Sequence, residues 1–138
     1  MADLAVTAAN VVKGSNAKTE IGIFGATVTA GQSVYADPAD SNKYKLADAD
    51  STTAAVRTTR GIALNGGANN QPAVIQTDGL ITIGAAVAVG TVYAQSDVPG
   101  AIRPVADNGS GDYVTVLGIG VSASQIDLKI HPSGVALP

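Results

Sequence analysis

The segment Gly25-Ala-Thr-Val-Thr-Ala-Gly31-Gln-Ser-Val-Tyr35-Ala36 returns as Gly84-Ala-Ala-Val-Ala-Val-Gly90-Thr-Val-Tyr93-Ala94, 59 positions on (84 − 25) and one residue shorter before the tyrosine. The echo continues with Leu46-Ala-Asp48 against Val105-Ala-Asp107, and with Arg60-Gly61-Ile-Ala-Leu64 against Leu117-Gly118-Ile-Gly-Val121. A solenoid needs about three or more units to share a continuous core, so a chain that repeats itself once is limited to two halves packed as one domain. The repeats run over about 21–79 and 80–138. Tyr35 and Tyr93 are expected at equivalent places in them.

The local signals inside each unit are those of strands. Short β-branched or apolar runs are separated by Gly, Asn, Asp and Pro at close spacing. Ile126, Leu128 and Ile130 alternate with Asp127, Lys129 and His131, which predicts a half-buried antiparallel strand. Tyr113 to Val121 reads as one long strand or two joined at a glycine bend. Ala73–Thr77 and Leu80–Ile83 flank Asp78-Gly79, a dipeptide suited to a tight turn, and predict a β-hairpin. Asn65-Gly66 and Asn108-Gly109 mark two more turns. Asp50 to Arg57 has an N-cap residue and an alanine pair, enough for a turn or two of helix. The fold class is therefore all-β: a small β-barrel or β-tulip-like domain built from two tandem pseudo-repeats.

Residues 1–20 precede the first repeat and read as an N-terminal arm, with Gly14-Ser-Asn16 as a joint. Leu4, Ala8, Val11 and Val12 would share a helical face, whereas Leu4 and Val6 alternate as in a strand. The β-branched Val6, Thr7, Val11 and Val12 favour the extended form. Leu4, Val6, Val11 and Val12 are the candidate contact residues of such an arm, docking by strand addition on a partner's sheet edge. The alternative is that the segment packs on its own barrel or on a neighbouring subunit.

Composition explains why subunits are expected to associate. The chain is 46% hydrophobic but only 4% aromatic and lacks Trp, so its core is built from Ala, Val, Ile and Leu. Burying a Val, Leu or Ile gains roughly 1.5–3 kcal/mol, against about 1–2 kcal/mol for ordering each residue's backbone. A thin core of this kind favours a homo-oligomer. Tyr35 and Tyr93 are candidate subunit-interface residues, with paired core positions as the other reading.

The inventory of reactive groups is sparse. There is no cysteine, which removes disulfides, thiolate metal sites and a Cys nucleophile. His131 is the only histidine and lacks the partners of a general base. Asp37, Asp40, Asn42, Asp48 and Asp50 gather in one polar loop, and Asp97, Asp107 and Asp112 in its counterpart. They lack the register and central glycine of a calcium loop, and turn formation accounts for them, so no metal and no cofactor are expected. The net charge of −3 and the scattered Lys13, Lys18, Lys43, Lys45, Arg57, Arg60, Arg103 and Lys129 give no footprint for nucleic acid. No run approaches the roughly 18–20 apolar residues of a membrane span, and no secretory signal is visible. The expectation is a protein without catalytic activity.

In order, Gly31-x-x-Val-Tyr, Tyr44-Lys45-Leu46-Ala-Asp, Val56-Arg-Thr-Thr-Arg-Gly61-Ile-Ala-Leu64 and Gln71-Pro-Ala-Val-Ile-Gln-Thr-Asp-Gly79 resemble the capsid cement, or head decoration, proteins of tailed bacteriophages. The resemblance runs from about Ile21 to the end. It implies a trimer that clamps neighbouring major capsid protein subunits on the outer surface of the virion, after assembly in the host cytoplasm. It brings no catalytic residues. A tail-fibre, baseplate or other surface-binding β module is the alternative, although such a module more often displays aromatics.

Overall fold

The longest strands are β6 (Pro72–Ile83) and β10 (Gln125–Ala136), and the rest of the molecule is arranged about them. The others are β1 (Val11–Lys13), β2 (Lys18–Ile23), β3 (Ser33–Asp37), β4 (Lys43–Leu46), β5 (Gly61–Ala63), β7 (Val92–Gln95), β8 (Ile102–Pro104) and β9 (Tyr113–Gly120). The computed structural model describes residues 3–138, and in it these strands form one curled antiparallel, β-barrel-like sheet of order β4-β3-β5-β6-β10-β9-β7-β8. β1 and β2 pair with the other edge of β6. In the first part of the chain β3 lies between β4 and β5. In the second, β7 lies between β8 and β9.

The predicted hairpin at Asp78-Gly79 does not form, because β6 runs through it as one strand. Gly79 does take a positive φ of 92°, but uses it in a kink rather than a turn. The β2 ladder steps from Lys18↔Asp78 to Thr19↔Gln76, leaving Thr77 as an extra residue, and a bulge of this kind satisfies a left-handed glycine as well as a turn does. The 14–17 turn fills the kink: Asn16 Oδ1 accepts from Leu80 N at 2.9 Å, and a Cβ on Gly79 would lie 2.6 Å from the Asn16 carbonyl oxygen.

Other local expectations meet the structure more directly. Ile126 and Leu128 are buried and Lys129 and His131 exposed, as the alternation requires. Tyr113 to Gly120 is one strand. The segment from Asp50 to Arg57 forms hydrogen-bonded turns, with Val56 N donating to Thr53 O and Thr58 N to Ala55 O, and no helix. Thr52 and Thr53 resist helical extension because branching at Cβ crowds the preceding turn.

Two hydrophobic clusters fill the curl. Phe24, Val28, Val34, Tyr44, Ala63, Ala73 and Ile75 form one. The other gathers Ile81, Ile83, Val87, Tyr93, Ile102, Leu117, Ile126 and Leu128, and it also receives Ile62 from β5. The small first cluster closes by backbone contact: Gly25 N donates to Tyr44 O at 2.8 Å, and Phe24 bridges Tyr44.

A buried polar seam joins the two parts. Thr59 Oγ1 donates to Gln95 Oε1 at 2.6 Å, and Gln95 Nε2 donates to Tyr113 O at 3.2 Å and to Arg57 O. Thr115 Oγ1 reaches Arg57 O at 2.9 Å, and the Arg57 guanidinium lies 3.6 Å above the Tyr113 ring. These groups are buried yet satisfied, so the loop before β5 is fixed on β7 and β9.

Candidate functional site

The β6–β10 ladder ends at Lys129↔Asp78, while β5 takes over the same edge of β6 at Gln76. The sheet splits there, and a cleft of about 910 Å³ opens between Thr59, Arg60, Thr77, Lys129, His131 and Pro132. Lys18, Arg60 and Lys129 stand on its rim. Cations that are scattered along the sequence are thus gathered by the fold, since β2, the approach to β5, and β10 all meet at the kink in β6. Lys129 Nζ donates to Asp78 Oδ1 at 2.8 Å, which holds that carboxyl below the usual range.

Arg60 grips Glu20 through Nε at 2.9 Å and through Nη2, and Tyr44 Oη donates to the same carboxylate at 2.9 Å. The hydrogen bond from Arg60 lowers the Glu20 pKa against the opposing effect of burial. Burial, then the bond to Glu20, pushes Tyr44 up to about 12. The pairing positions Arg60, and Lys129 is likewise paired with Asp78, which lines the same cleft, and with Asp127, so among the described residues Lys18 is the rim cation without a salt bridge.

The acidic loops divide. Asp37 and Asp40 hold Lys45 Nζ at 2.8 and 3.0 Å, and Asp37 Oδ1 accepts from Ala39 N. They serve a local turn. Asp50, Asp97 and Asp112 instead converge, with carboxylate oxygens within 4.8 Å of one another. Arg103 answers part of this charge: its Nη2 donates to Asp97 Oδ1 at 2.7 Å and its Nε to Asp3 Oδ1 at 2.9 Å. Asp112 Oδ2 accepts from Gly109 N at 2.8 Å. Asp48 carries the strain, since desolvation, then the Asp50 side chain, push its pKa up to about 6.

The residues expected to make contacts are mostly committed within the chain. Leu4, Val6 and Val11 pack against the larger hydrophobic cluster. Leu4 N donates to Ile102 O at 2.7 Å, Thr7 N to Gly84 O at 2.8 Å, and β1 pairs with Ile81 to Ile83 of β6. Met1 and Ala2 lie outside the described residues. From Asp3 onward the segment lies on its own domain, the alternative to a free arm, because Leu4, Val6 and Val11 add apolar surface to the larger cluster. Only Val12 of the four faces solvent, at 56%.

Tyr35 and Tyr93 are 7% and 2% exposed, so neither presents a ring to a neighbouring subunit. The two flanking ladders place them differently. On the β8 side Tyr93 lies opposite Pro104 and Ala94 opposite Arg103, matching Tyr35 opposite Lys45 and Ala36 opposite Tyr44, with the partners at the 59-residue offset (104 − 45). On the β9 side Tyr93 lies opposite Gly118, as Val34 lies opposite Gly61, and its ring joins the larger cluster.

What remains outside are aliphatic side chains: Ile21 (83% exposed) and Ile23 (47%) on β2, Ile119 (47%) on β9 and Val135 (65%) on β10, with Val121 (46%) just past the end of β9 and Val89 (69%) and Val98 (50%) in loops. Sequence reading passed over them because alternation marks two faces of a strand without saying which is covered. Among the described residues no helix is long and apolar enough to cross a membrane. Comparisons with protein-family models, with curated proteins and with solved structures return no match.

Proposed function

We propose that this chain is a structural, non-enzymatic virion protein: a trimeric decoration, or cement, protein that binds the outer surface of a phage head and braces neighbouring major capsid protein subunits. The observation that carries this reading is the set of bare aliphatic side chains on outward faces of the sheet and its adjoining loops in both parts of the molecule. Large apolar groups held in solvent by a hydrogen-bonded sheet suit contact with other proteins. Two kinds of contact are required of such a protein, one to its own copies and one to the shell.

The cleft at the β6 kink suits the second kind. In a chain of net charge −3 it gathers Lys18, Arg60 and Lys129 about one carboxylate, Asp78, and an acidic patch on the shell would meet Lys18 directly and share Arg60 and Lys129 with their partners Glu20 and Asp78. The matching strand orders β4-β3-β5 and β8-β7-β9 support the reading of the chain as two tandem pseudo-repeats. The resemblance of its residue order to head decoration proteins agrees with this role.

The test is co-sedimentation of the purified protein with heads lacking it, followed by negative-stain imaging. Saturable binding with regular added density on the head surface is expected. Failure to sediment, or density confined to tails or fibres, overturns the reading, and the latter outcome favours a tail-fibre or baseplate module.

A further inference from the structure

The two halves bear the same apolar pair on the same ladder, but the chain covers only one of them. Ser33 pairs with Ile62 in the first half, and Val92 pairs with Ile119 in the second. Gly61-Ile62-Ala-Leu64 correspondingly matches Gly118-Ile119-Gly-Val121. Ile62 is wholly buried in the larger cluster, with Leu64 packed at its margin. Ile119 and Val121 are about half exposed. Val89 lies beside them at 69% exposure, since Gly90 N donates to Gly120 O at 2.7 Å and Gly120 N to Thr91 O at 2.9 Å.

The first-half face therefore already docks against a body of this chain's own kind, namely its second half. The second-half face carries the like pair Ile119 and Val121, half exposed, with no such cover among the described residues. A second copy cannot cover it with the surface that receives Ile62, because that surface is filled. The first half of a second copy offers Ile21 and Ile23, its exposed large aliphatic side chains, side by side on one face of β2, whereas Val12, Val98 and Val135 are exposed singly.

We propose that Val89, Ile119 and Val121 of one copy pack against Ile21 and Ile23 of the next, so that the half-on-half contact within the chain is continued between chains. Because the two patches differ, the contact is head-to-tail, and such a contact closes into a ring where its rotation divides a full turn, as the trimer requires. The inference names the partner surface for the trimer proposed above and rests on that reading.

The experiment uses the full chain and two double variants, Ile119→Lys with Val121→Lys, and Ile21→Lys with Ile23→Lys, with mass measured by native mass spectrometry and light scattering at micromolar concentration. The native chain is expected to be an oligomer and each variant a monomer. Mixing the two variants is expected to give a one-to-one dimer and nothing larger, since one intact contact survives in the mixture. Circular dichroism and the thermal midpoint show that the variants remain folded. A variant that unfolds is replaced by the serine pair at the same positions.

Variants that keep the native mass overturn the assignment and leave a trimer through another face standing. A mixture that stays monomeric also overturns it, because a self-matching contact has no complementing variants. A monomeric native chain overturns both this inference and the trimer. Intact oligomers that do not bind heads count against the decoration role alone.

Discussion

Tyr93 lies opposite Gly118 as Val34 lies opposite Gly61, and its hydroxyl accepts from Ala88 N at 2.9 Å. Tyr35, one residue beyond Val34, makes no side-chain hydrogen bond among the described residues, and burial and the nearby Asp37 raise its pKa. Replacing Tyr93 by Phe removes the acceptor of the Ala88 N–H, which is exposed enough to turn to water, and is expected to cost about 0.5–1.5 kcal/mol. Tyr35→Phe is expected to stay within about 0.5 kcal/mol of the native chain. Urea unfolding of the two variants checks the contrast, which reverses if Tyr35 rather than Tyr93 is the buttressed ring.

Gly118 is required by proximity. A Cβ there would lie 2.1 Å from the Asp127 carbonyl oxygen and 3.0 Å from Ile126 Cγ2, so β9 approaches β10 more closely than any side chain allows. Gly118→Ala is expected to destabilise by about 1–3 kcal/mol or to part the two strands locally. Hydrogen exchange of the Ile126 and Leu128 amides reports the parting directly. Gly90→Ala is the control for a glycine with open space around its Cβ and only its positive φ of 81° to lose.

The N-terminal segment is expected to behave as core. Leu4→Ala should cost about 1–3 kcal/mol, below the range of a wholly buried leucine because Leu4 is partly exposed. Deleting residues 1–12 removes Leu4, Val6 and Val11 from the larger cluster, and with them the Asp3 carboxylate that faces Arg103. The expected result is a large fall in thermal midpoint. A deletion that melts like the native chain would restore the free arm.

Asp48 sets one part of the pH dependence. Its folded pKa of about 6 lies above the ordinary 3.8, so between those values the folded state binds more protons than the unfolded one. Stability from this group is therefore fully present below about 3.8 and is lost as pH rises through about 6. Asp48→Asn retains the acceptor that Asp50 N uses and removes the titration. Relative to the native chain it should be more stable at pH 7 by less than about 1 kcal/mol, with the difference vanishing near pH 4. Glu20 and Asp78, whose pKa values are lowered, titrate with the opposite sign in both proteins and cancel in the comparison.

Much of the fold is written in short-range pattern. Alternation at Ile126, Leu128 and Ile130 fixes which face of β10 is buried, because successive side chains of a strand point to opposite sides and only one side can be apolar. The strand-rich, glycine-punctuated composition fixes the all-β class for the same reason. The tertiary structure decided the rest. Asp78-Gly79 supplies a positive φ, and whether it ends a strand or kinks one depends on Asn16 and Lys18, some 60 residues earlier, which seat against it. Lys18, Arg60 and Lys129 share a rim only because three distant strands converge on that kink. Ile62 and Ile119 are the same residue in matching sequence contexts, yet one is buried and the other bare. Burial belongs to what lies opposite a side chain in space, and no local sequence pattern contains that.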